Sequence, residues 1–134
     1  MPLPVKPTDS ELEILQLLWQ DSPASVRQIN EQLNADRSSE KSVGYTTTLK
    51  LMQIMTEKGL LRRDTSRRTH TYEPAIAERD TRSNLLRRFV DSTFRGSAAK
   101  LVLQALGDHR ASADELAEIK ALIHRIERER SEEE

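Results

Sequence analysis

The residues that could carry out covalent or metal chemistry are few and scattered along this chain. Its histidines, His70, His109 and His124, are far apart and form no His-x-x-x-His pair or other set with metal-ligand spacing. The lack of cysteine excludes disulfides and thiolate metal sites. Ser97-Ala-Ala-Lys100 has the Ser-x-x-Lys spacing of penicillin-recognising enzymes, but the companion Ser-Asp-Asn and Lys-Thr-Gly motifs are absent. The sequence therefore predicts a protein that is not an enzyme and needs no metal or cofactor.

Hydrogen-bonding side chains are instead concentrated on one face of the segment from Tyr45 to Lys58. At about 100° per residue this segment forms an amphipathic helix with a core face and a polar face. The core face carries Tyr45, Thr48, Leu51, Met52 and Met55. The polar face carries Thr46, Lys50, Gln53 and Glu57, with Thr47 and Ile54 at its edge. Because short polar side chains are unusual on a face that only meets solvent, we expect a binding face.

The polar face has the residue types that recognise DNA. In the major groove, lysine suits guanine, glutamine suits adenine, and a threonine methyl can contact thymine. We therefore predict base contacts from Lys50, Gln53 and Thr47, and a backbone contact from Thr46 near the positive end of the helix. The alternative is that Thr46 caps the helix and that Lys50 is a solvated lysine. Tyr45 is expected in the core rather than stacked on a base.

A basic segment follows this helix, although the chain as a whole carries a net charge of −1. Residues 50–70 hold six basic and two acidic side chains, whereas residues 111–134 hold four basic and eight acidic ones. Arg62 and Arg63 at the base of a predicted hairpin, and Arg67 and Arg68 at its tip, are placed to neutralise backbone phosphates. The alternative is a charged hairpin that only protects a sheet edge from aggregation.

Capping signals indicate the elements that come before the binding helix. The prolines of Met1–Pro7 predict an extended arm. The capping-box pattern Thr8-x-x-Glu11 predicts a first helix over 9–20, with Trp19 in the core. Ser25-x-x-Gln28 opens a second, shorter helix in the same way.

The signals after the binding helix indicate a hairpin. Gly59 is placed to stop the third helix, which is predicted over 45–58. Short strands over 60–63 and 69–72 follow, and Pro74 ends the second one. Three helices and a basic hairpin predict a mainly α-helical fold, a winged helix-turn-helix, with a C-terminal helical region after it.

The C-terminal part is helical throughout but holds few apolar side chains. The predicted organisation is a DNA-binding domain over 1–74, a helical dimerisation domain over 75–127 and a disordered tail over 128–134. Its apolar stripes are too small for an independent core, so a second copy of the chain is the expected partner. The predicted dimerisation residues are Phe89, Val90, Leu101, Val102, Leu106, Leu116, Ile119, Ile123 and Ile126.

The N-terminus lacks the apolar region of a signal peptide, and no apolar run reaches the length of a membrane span. The sequence therefore predicts a soluble, cytoplasmic protein without membrane insertion.

An ordered set of motifs resembles the BlaI/MecI/CopY penicillinase-repressor family over about Thr8 to Glu127. The motifs are Tyr45-Thr-Thr-Thr48, Lys58-Gly59-Leu60, the strand from Arg68 to Tyr72, Phe94-Arg-Gly-Ser97, Leu101-Val102 and Ser112-x-x-Glu115-Leu116. The resemblance implies a homodimer that binds double-stranded operator DNA and represses an operon. In the β-lactam branch, it also implies a membrane-bound sensor metallopeptidase that inactivates the repressor by cutting its dimerisation region.

This chain departs from the family pattern in ways that narrow these expectations. It lacks the C-terminal cysteines with which the copper-responsive branch binds Cu(I), so direct copper sensing is not expected. The segment that aligns with the protease cut reads Leu103-Gln-Ala-Leu106 rather than containing Asn-Phe. Lys50 and Ile54 stand where many relatives have Thr and Arg, so the operator sequence cannot be transferred.

A second function class stays open at this point. A winged helix can serve as a protein-interaction adaptor when the exposed face of its third helix is apolar. Leu49 and Ile54 are the residues that favour this alternative, whereas Thr46, Lys50 and Gln53 oppose it.

Overall fold

The computed structural model describes residues 6–133. Most of the predicted N-terminal arm, together with Glu134 at the end of the predicted tail, lies outside these residues. The chain divides into two compact units, and the division falls between Arg87 and Arg88.

The boundary between the units lies further along the chain than the predicted one after residue 74. Hydrogen bonds hold the intervening segment on the first unit. Ala75 N–H donates to Leu60 O at 2.9 Å, and Trp19 Nε1 donates to Ile76 O at 3.0 Å. Ile76 also packs against the hydrophobic core of the first unit.

The helices of the first unit begin where their caps predict. α1 spans Asp9–Gln20 and α2 spans Val26–Asn34. The predicted capping boxes are confirmed in both: Thr8 exchanges hydrogen bonds with Glu11, and Ser25 with Gln28. A short 3₁₀ turn over Ser39–Lys41 then leads to α3, which spans Tyr45–Glu57.

Gly59 ends α3 as predicted. Its φ of 84° lies in the left-handed region that glycine adopts without strain. Gly59 N–H donates to Thr56 O at 3.1 Å, and Leu60 N–H donates to Met55 O at 2.9 Å. This pair of bonds is a Schellman motif, which satisfies the last carbonyl groups of the helix and turns the chain into the first strand.

The two strands form an antiparallel hairpin. β1 spans Leu61–Asp64 and β2 spans Thr71–Pro74, with Leu61 opposite Pro74 and Asp64 opposite Thr71. Both strands begin later than predicted, since Leu60 belongs to the Schellman motif and the turn at the tip of the hairpin occupies 65–70. Three helices followed by this hairpin confirm the predicted winged helix-turn-helix.

The core of the first unit lies between its three helices and the hairpin. All its members are buried apolar side chains, and each helix supplies at least two of them. They are Ile14, Leu15, Leu18, Ala24, Val26, Ile29, Leu33, Met52, Met55, Leu60, Leu61 and Tyr72. Trp19 packs against this cluster, in agreement with its prediction as a core aromatic.

The second unit consists of helices. α4 spans Glu78–Thr93 and crosses the boundary, α5 spans Ala98–Asp108 and α6 spans Ala113–Glu133. Val90 is the only buried side chain among residues 88–133. This unit therefore has hardly any core of its own in a single chain.

α6 continues through residues 128–133, where the sequence predicts a disordered tail. These residues are mostly Glu and Arg, which have high helix propensity. Arg125 Nε also lies 4.0 Å from Glu129 Oε1, an i,i+4 pair that supports the last turns. None of the helices over residues 6–133 combines the length and the apolar composition needed to cross a lipid bilayer.

Candidate nucleic-acid interface

Two asparagines of α2 fix the start of α3. Asn34 Nδ2 donates to Val43 O at 2.9 Å, and its Oδ1 accepts from Val43 N–H at 2.7 Å. Asn30 Nδ2 lies 2.9 Å from both Val43 O and Thr48 Oγ1. Asn30, Asn34, Val43 and Thr48, which we call the asparagine clasp, hold the loop before α3 and its first turn against α2.

The clasp explains why Thr48 is buried in a helix that begins with three threonines. Its hydroxyl accepts from Asn30 and donates to Gly44 O at 3.3 Å, so no buried polar atom is left unsatisfied there. The core position predicted for Thr48 is therefore confirmed, with a polar contact as its reason.

The predicted base-reading residues are all exposed on α3. Thr47, Lys50 and Gln53 face solvent, as does Thr46. Gly44 is the N-cap of α3, so the alternative that Thr46 caps this helix is excluded. Within residues 6–133, no carboxylate oxygen lies within 4.0 Å of the Lys50 ammonium.

The apolar residues of α3 do not form an exposed patch. Leu49 packs against the core and Ile54 is partly buried. The exposed face is polar, so the feature on which the adaptor alternative depended is missing.

The predicted core position of Tyr45 is wrong. Its side chain is 50% exposed. The helical period places it on the core face, but Tyr45 is the first residue of α3 and no preceding helical turn covers it. It lines an open cleft instead.

The arginines of the hairpin differ in their surroundings. Arg62 Nε lies 3.1 Å from Glu73 Oε1 across the two strands, and both side chains are exposed. Within residues 6–133, Arg63, Arg67 and Arg68 have no carboxylate oxygen within 4.0 Å. Three of the four predicted phosphate-binding arginines thus form no ion pair within the described residues.

Asp64 organises the tip from which Arg67 and Arg68 project. Its Oδ1 accepts from Ser66 N–H at 2.9 Å. The Ser66 hydroxyl and backbone N–H hold the pKa of the Asp64 carboxyl below its usual value, with a smaller contribution from nearby Arg67. These hydrogen bonds favour the charged carboxylate, which accepts the bond within the turn.

A β-bridge fixes the hairpin to the start of α2. Ala24 N–H donates to Tyr72 O at 3.0 Å, and Tyr72 N–H donates to Ala24 O at 2.8 Å. Ala24 directly precedes Ser25, the N-cap of α2. Since the asparagine clasp holds α3 on the same helix, α2 positions both predicted DNA-binding elements.

An open cleft of about 430 Å³ lies between α2, α3 and the hairpin. Its charged and aromatic lining comes from Arg27, Tyr45, Arg68, His70 and Tyr72. Of these, only Arg68 is predicted from the sequence as a DNA contact. Arg27 is not among the predicted DNA contacts because it lies outside the basic segment 50–70. The signal that the sequence offers for it is its position in the first turn of α2, two residues after the N-cap Ser25.

The other hairpin arginines face a different hollow. Arg62 and Arg63 line a space of about 360 Å³ together with Pro23, Thr71 and Glu73. The four predicted arginines therefore do not form one patch: Arg68 lies beside the start of α3, and Arg62 and Arg63 lie across the hairpin.

The predicted dimerisation residues all belong to the second unit. Apart from buried Val90 and the partly buried Leu101 and Ile119, they are exposed. The exposed ones are Phe89, Val102, Leu106, Leu116, Ile123 and Ile126, between 39% and 49% of whose surface is accessible. Leu86, Leu103 and Leu122 are further exposed apolar residues that are not among the predicted dimerisation residues.

Comparisons with known proteins place this chain among transcriptional repressors by sequence. The family described as penicillinase repressor matches residues 7–125. The penicillinase repressor of Bacillus licheniformis is 23% identical over 116 residues, which cover 87% of this chain and 88% of the relative. The methicillin resistance regulatory proteins MecI of Mammaliicoccus sciuri and Staphylococcus aureus are each 21% identical over 118 residues, covering 88% of this chain and 93% of theirs. A solution structure of the DNA binding domain of the repressor BlaI aligns with a TM-score of 0.48 and 22% identity, covering 60% of this chain and 93% of that one.

Proposed function

The chain belongs to the penicillinase repressor family of DNA-binding transcriptional repressors, and we propose that it acts as a homodimer on a dyad operator in double-stranded DNA. The observation that carries this proposal is the exposed polar face of α3, with Arg68, which has no carboxylate partner among the described residues, beside the start of that helix. A free cationic surface next to a rigidly held polar helix suits a polyanion with a groove.

The exposed face of α3 is the proposed base-reading surface. Lys50 reaches guanine, Gln53 reaches adenine, and Thr47 contacts a thymine methyl from the first turn. Thr46 binds backbone phosphate. Because the asparagine clasp fixes the start of α3, the backbone that carries these side chains is already ordered before DNA binds.

The hairpin supplies backbone contacts that hold the register. Arg63, Arg67 and Arg68 are free for phosphates, whereas Arg62 must first leave Glu73. We therefore expect Arg62 to contribute less than Arg67 and Arg68. Replacing Arg67 and Arg68 together by alanine should weaken binding to all sequences alike and flatten the salt dependence. A changed base preference would instead assign base reading to the hairpin.

The helices after residue 88 are the proposed dimerisation surface. Their apolar side chains are exposed in a single chain, and a second copy would cover them. A two-fold dimer places two copies of α3 in successive major grooves, with half-site centres about 34 Å apart or a multiple of this.

Footprinting tests the dyad directly. The full chain, bound to the DNA upstream of its own gene, should protect two half-sites related by a two-fold axis. Lys50→Ala should lower specific affinity by about 1–3 kcal/mol and relax the preference at one base pair of each half-site. Lys120→Ala, which removes the same charge from α6, is the matched control. No protection by the wild-type chain even at low salt would contradict the proposal.

Relief of repression is proposed to come from a signal that breaks the dimer, and the family resemblance adds cleavage by a membrane-bound sensor metallopeptidase. The aligned segment Leu103–Leu106 lies within α5, and 73% of the surface of Leu103 is exposed. Cleavage would require α5 to open locally. This route can be tested by co-expressing the repressor with the metallopeptidase and measuring the mass of the repressor. A repressor that stays intact under induction would contradict the route.

A further inference from the structure

The cleft between α2, α3 and the hairpin contains polar side chains that the proposed base and hairpin contacts leave unused. Arg27 comes from the first turn of α2, Tyr45 from the start of α3, and His70 from the end of the hairpin turn. Arg68 completes the lining. Three separate elements thus bring their hydrogen-bond donors to one concave surface of about 430 Å³.

The cationic groups of this cleft are not compensated by acids. Within residues 6–133, neither Arg27 nor Arg68 has a carboxylate oxygen within 4.0 Å. By contrast, Arg37, Arg62 and Arg82 each bind a glutamate on the same molecule. Arg27 and Arg68, two of the arginines without a carboxylate partner, therefore lie on one hollow.

We propose that this cleft binds one phosphate group of the operator backbone, with Arg27 and Arg68 as the charged donors and Tyr45 and His70 as further hydrogen-bond donors. The proposal rests on the proposed function. When α3 lies in a major groove, the flanking DNA strand passes the N-terminal end of α3, where Tyr45 lies. Arginine suits this role since its planar guanidinium can give two parallel hydrogen bonds to a phosphate.

A phosphodiester of DNA accounts for the surroundings of the cleft better than a small free anion does. The α3 residues that line the cleft, Tyr45 and Leu49, are the sequence neighbours of Thr46 and Lys50 on the proposed base-reading face. A polyanion can contact the cleft, α3 and the tip of the hairpin at once. A free phosphate can occupy only the cleft.

The first test compares four single variants of the full chain. Arg27→Ala, His70→Ala and Tyr45→Phe should each lower affinity about three- to tenfold, equally for operator and for unrelated duplex. Arg110→Ala, which removes an exposed arginine from the turn between α5 and α6, should change affinity far less. The slope of log K against log salt should fall by about 0.9 per half-site for Arg27→Ala. An Arg27→Ala variant that binds like Arg110→Ala overturns the proposal.

The second test identifies the phosphate. Methylphosphonate substitution at single backbone positions removes one negative charge at a time, and one position should weaken the wild-type chain but not Arg27→Ala. Arg27→Lys, which keeps the charge and loses the fork, should bind between the wild-type chain and Arg27→Ala. Absence of any such coupled position overturns the proposal.

Two controls separate this proposal from its alternatives. Inorganic phosphate, compared with chloride at equal ionic strength, should not compete specifically for the cleft. Competition that Arg27→Ala abolishes would reassign the cleft to a small anion. If the dyad footprint and the Lys50→Ala effect hold while the cleft variants bind normally, only the cleft proposal falls. A wild-type chain that binds no duplex contradicts both proposals.

Discussion

The ion pair between Glu11 and Lys58 provides a stability prediction whose size follows from the structure. Lys58 Nζ lies 2.8 Å from Glu11 Oε2, joining the first turn of α1 to the end of α3. The Glu11 side chain is 2% exposed, whereas that of Lys58 is 31% exposed. Because Glu11 is buried and Lys58 is not, removing Lys58 should lower the free energy of unfolding more than removing Glu11 does.

Replacing the acid should be the milder change. In Glu11→Gln, the amide oxygen can still accept from Thr8 N–H, as Glu11 Oε1 does at 2.9 Å. The Lys58 ammonium can turn to solvent. We expect a loss of about 1.5–3 kcal/mol in the free energy of unfolding, the range for a hydrogen bond to a charged group.

Replacing the base should cost more, because Lys58→Met leaves a carboxylate buried without its counter-charge. Breaking a buried pair in this way costs about 3–5 kcal/mol. Taking up a proton limits this cost: protonating a carboxyl of ordinary pKa at pH 7 requires about 3.7 kcal/mol. We therefore expect Lys58→Met to lose about 3–3.7 kcal/mol at pH 7, more than Glu11→Gln.

The pH dependence has a defined sign. Burial raises the pKa of the Glu11 carboxyl, but hydrogen bonds from Lys58 and Thr8 outweigh this and leave the pKa below its usual value. The stabilisation by Glu11 is therefore fully present above the unfolded-state pKa of about 4.3 and is lost as the pH falls through the lower folded-state pKa. In Lys58→Met the carboxyl keeps only its burial and the Thr8 contacts. The loss of stability caused by Lys58→Met should therefore become smaller as the pH falls and the Glu11 carboxyl takes up a proton.

Urea unfolding followed by Trp19 fluorescence measures these differences. The chain has one tryptophan, and it packs against the core of the unit that contains the ion pair. Arg37→Met is the matched control, since its bidentate pair with Glu13 is 33% and 45% exposed and should contribute at most about 1 kcal/mol. A Lys58→Met penalty below that of Glu11→Gln at pH 7, or one that does not shrink in acid, would refute the reasoning.

Three further predictions concern the clasp, the helix stop and the second unit. Asn34→Ala should cost about 1–3 kcal/mol, because it leaves Val43 N–H without its acceptor and Val43 O with Asn30 as its remaining side-chain donor; urea unfolding measures it, and Asn34→Asp, which keeps the acceptor, should lose less. Gly59→Ala should cost about 1–2 kcal/mol, since a Cβ meets no atom within 4 Å there and only the left-handed backbone opposes it; a thermal midpoint equal to that of the wild type would contradict this. Ile123→Asp should shift the chain from dimer to monomer in sedimentation velocity and weaken operator binding, while Lys120→Ala should remain dimeric. A dimer that survives Ile123→Asp would place the interface elsewhere.

Local chemistry made most of the winged helix predictable. Thr8, Ser25 and Gly59 each act within a few residues of their own position, through caps and a Schellman turn. Such signals are readable because their partners lie at fixed sequence offsets. The strand ends were less accurate, since they depend on which backbone groups the Schellman turn has already used.

The parts of the interface that could not be predicted depend on contacts between distant residues. Asn30 reaches Val43 and Thr48 across 13 and 18 positions, and no short-range pattern marks an asparagine for that use. Arg27 and His70 meet only because the bridge between Ala24 and Tyr72 brings the hairpin to α2. Tyr45 shows a related limit. The helical period predicts the burial of residues in the middle of a helix better than that of its first residue.

The ion pairs of the first unit separate charges that hold the fold from charges available to DNA. Lys58, Arg37 and Arg62 each have a glutamate partner, and the Lys58 pair joins two helices. Lys50 and Arg68, whose side chains have no such partner within residues 6–133, lie on α3 and at the hairpin. A net charge near zero is therefore compatible with DNA binding, because several acidic side chains that lower the sum are paired with cations other than Lys50 and Arg68. It follows that Glu73→Gln, by releasing Arg62, should strengthen binding to any duplex and steepen its salt dependence. Unchanged affinity of that variant would place Arg62 outside the interface.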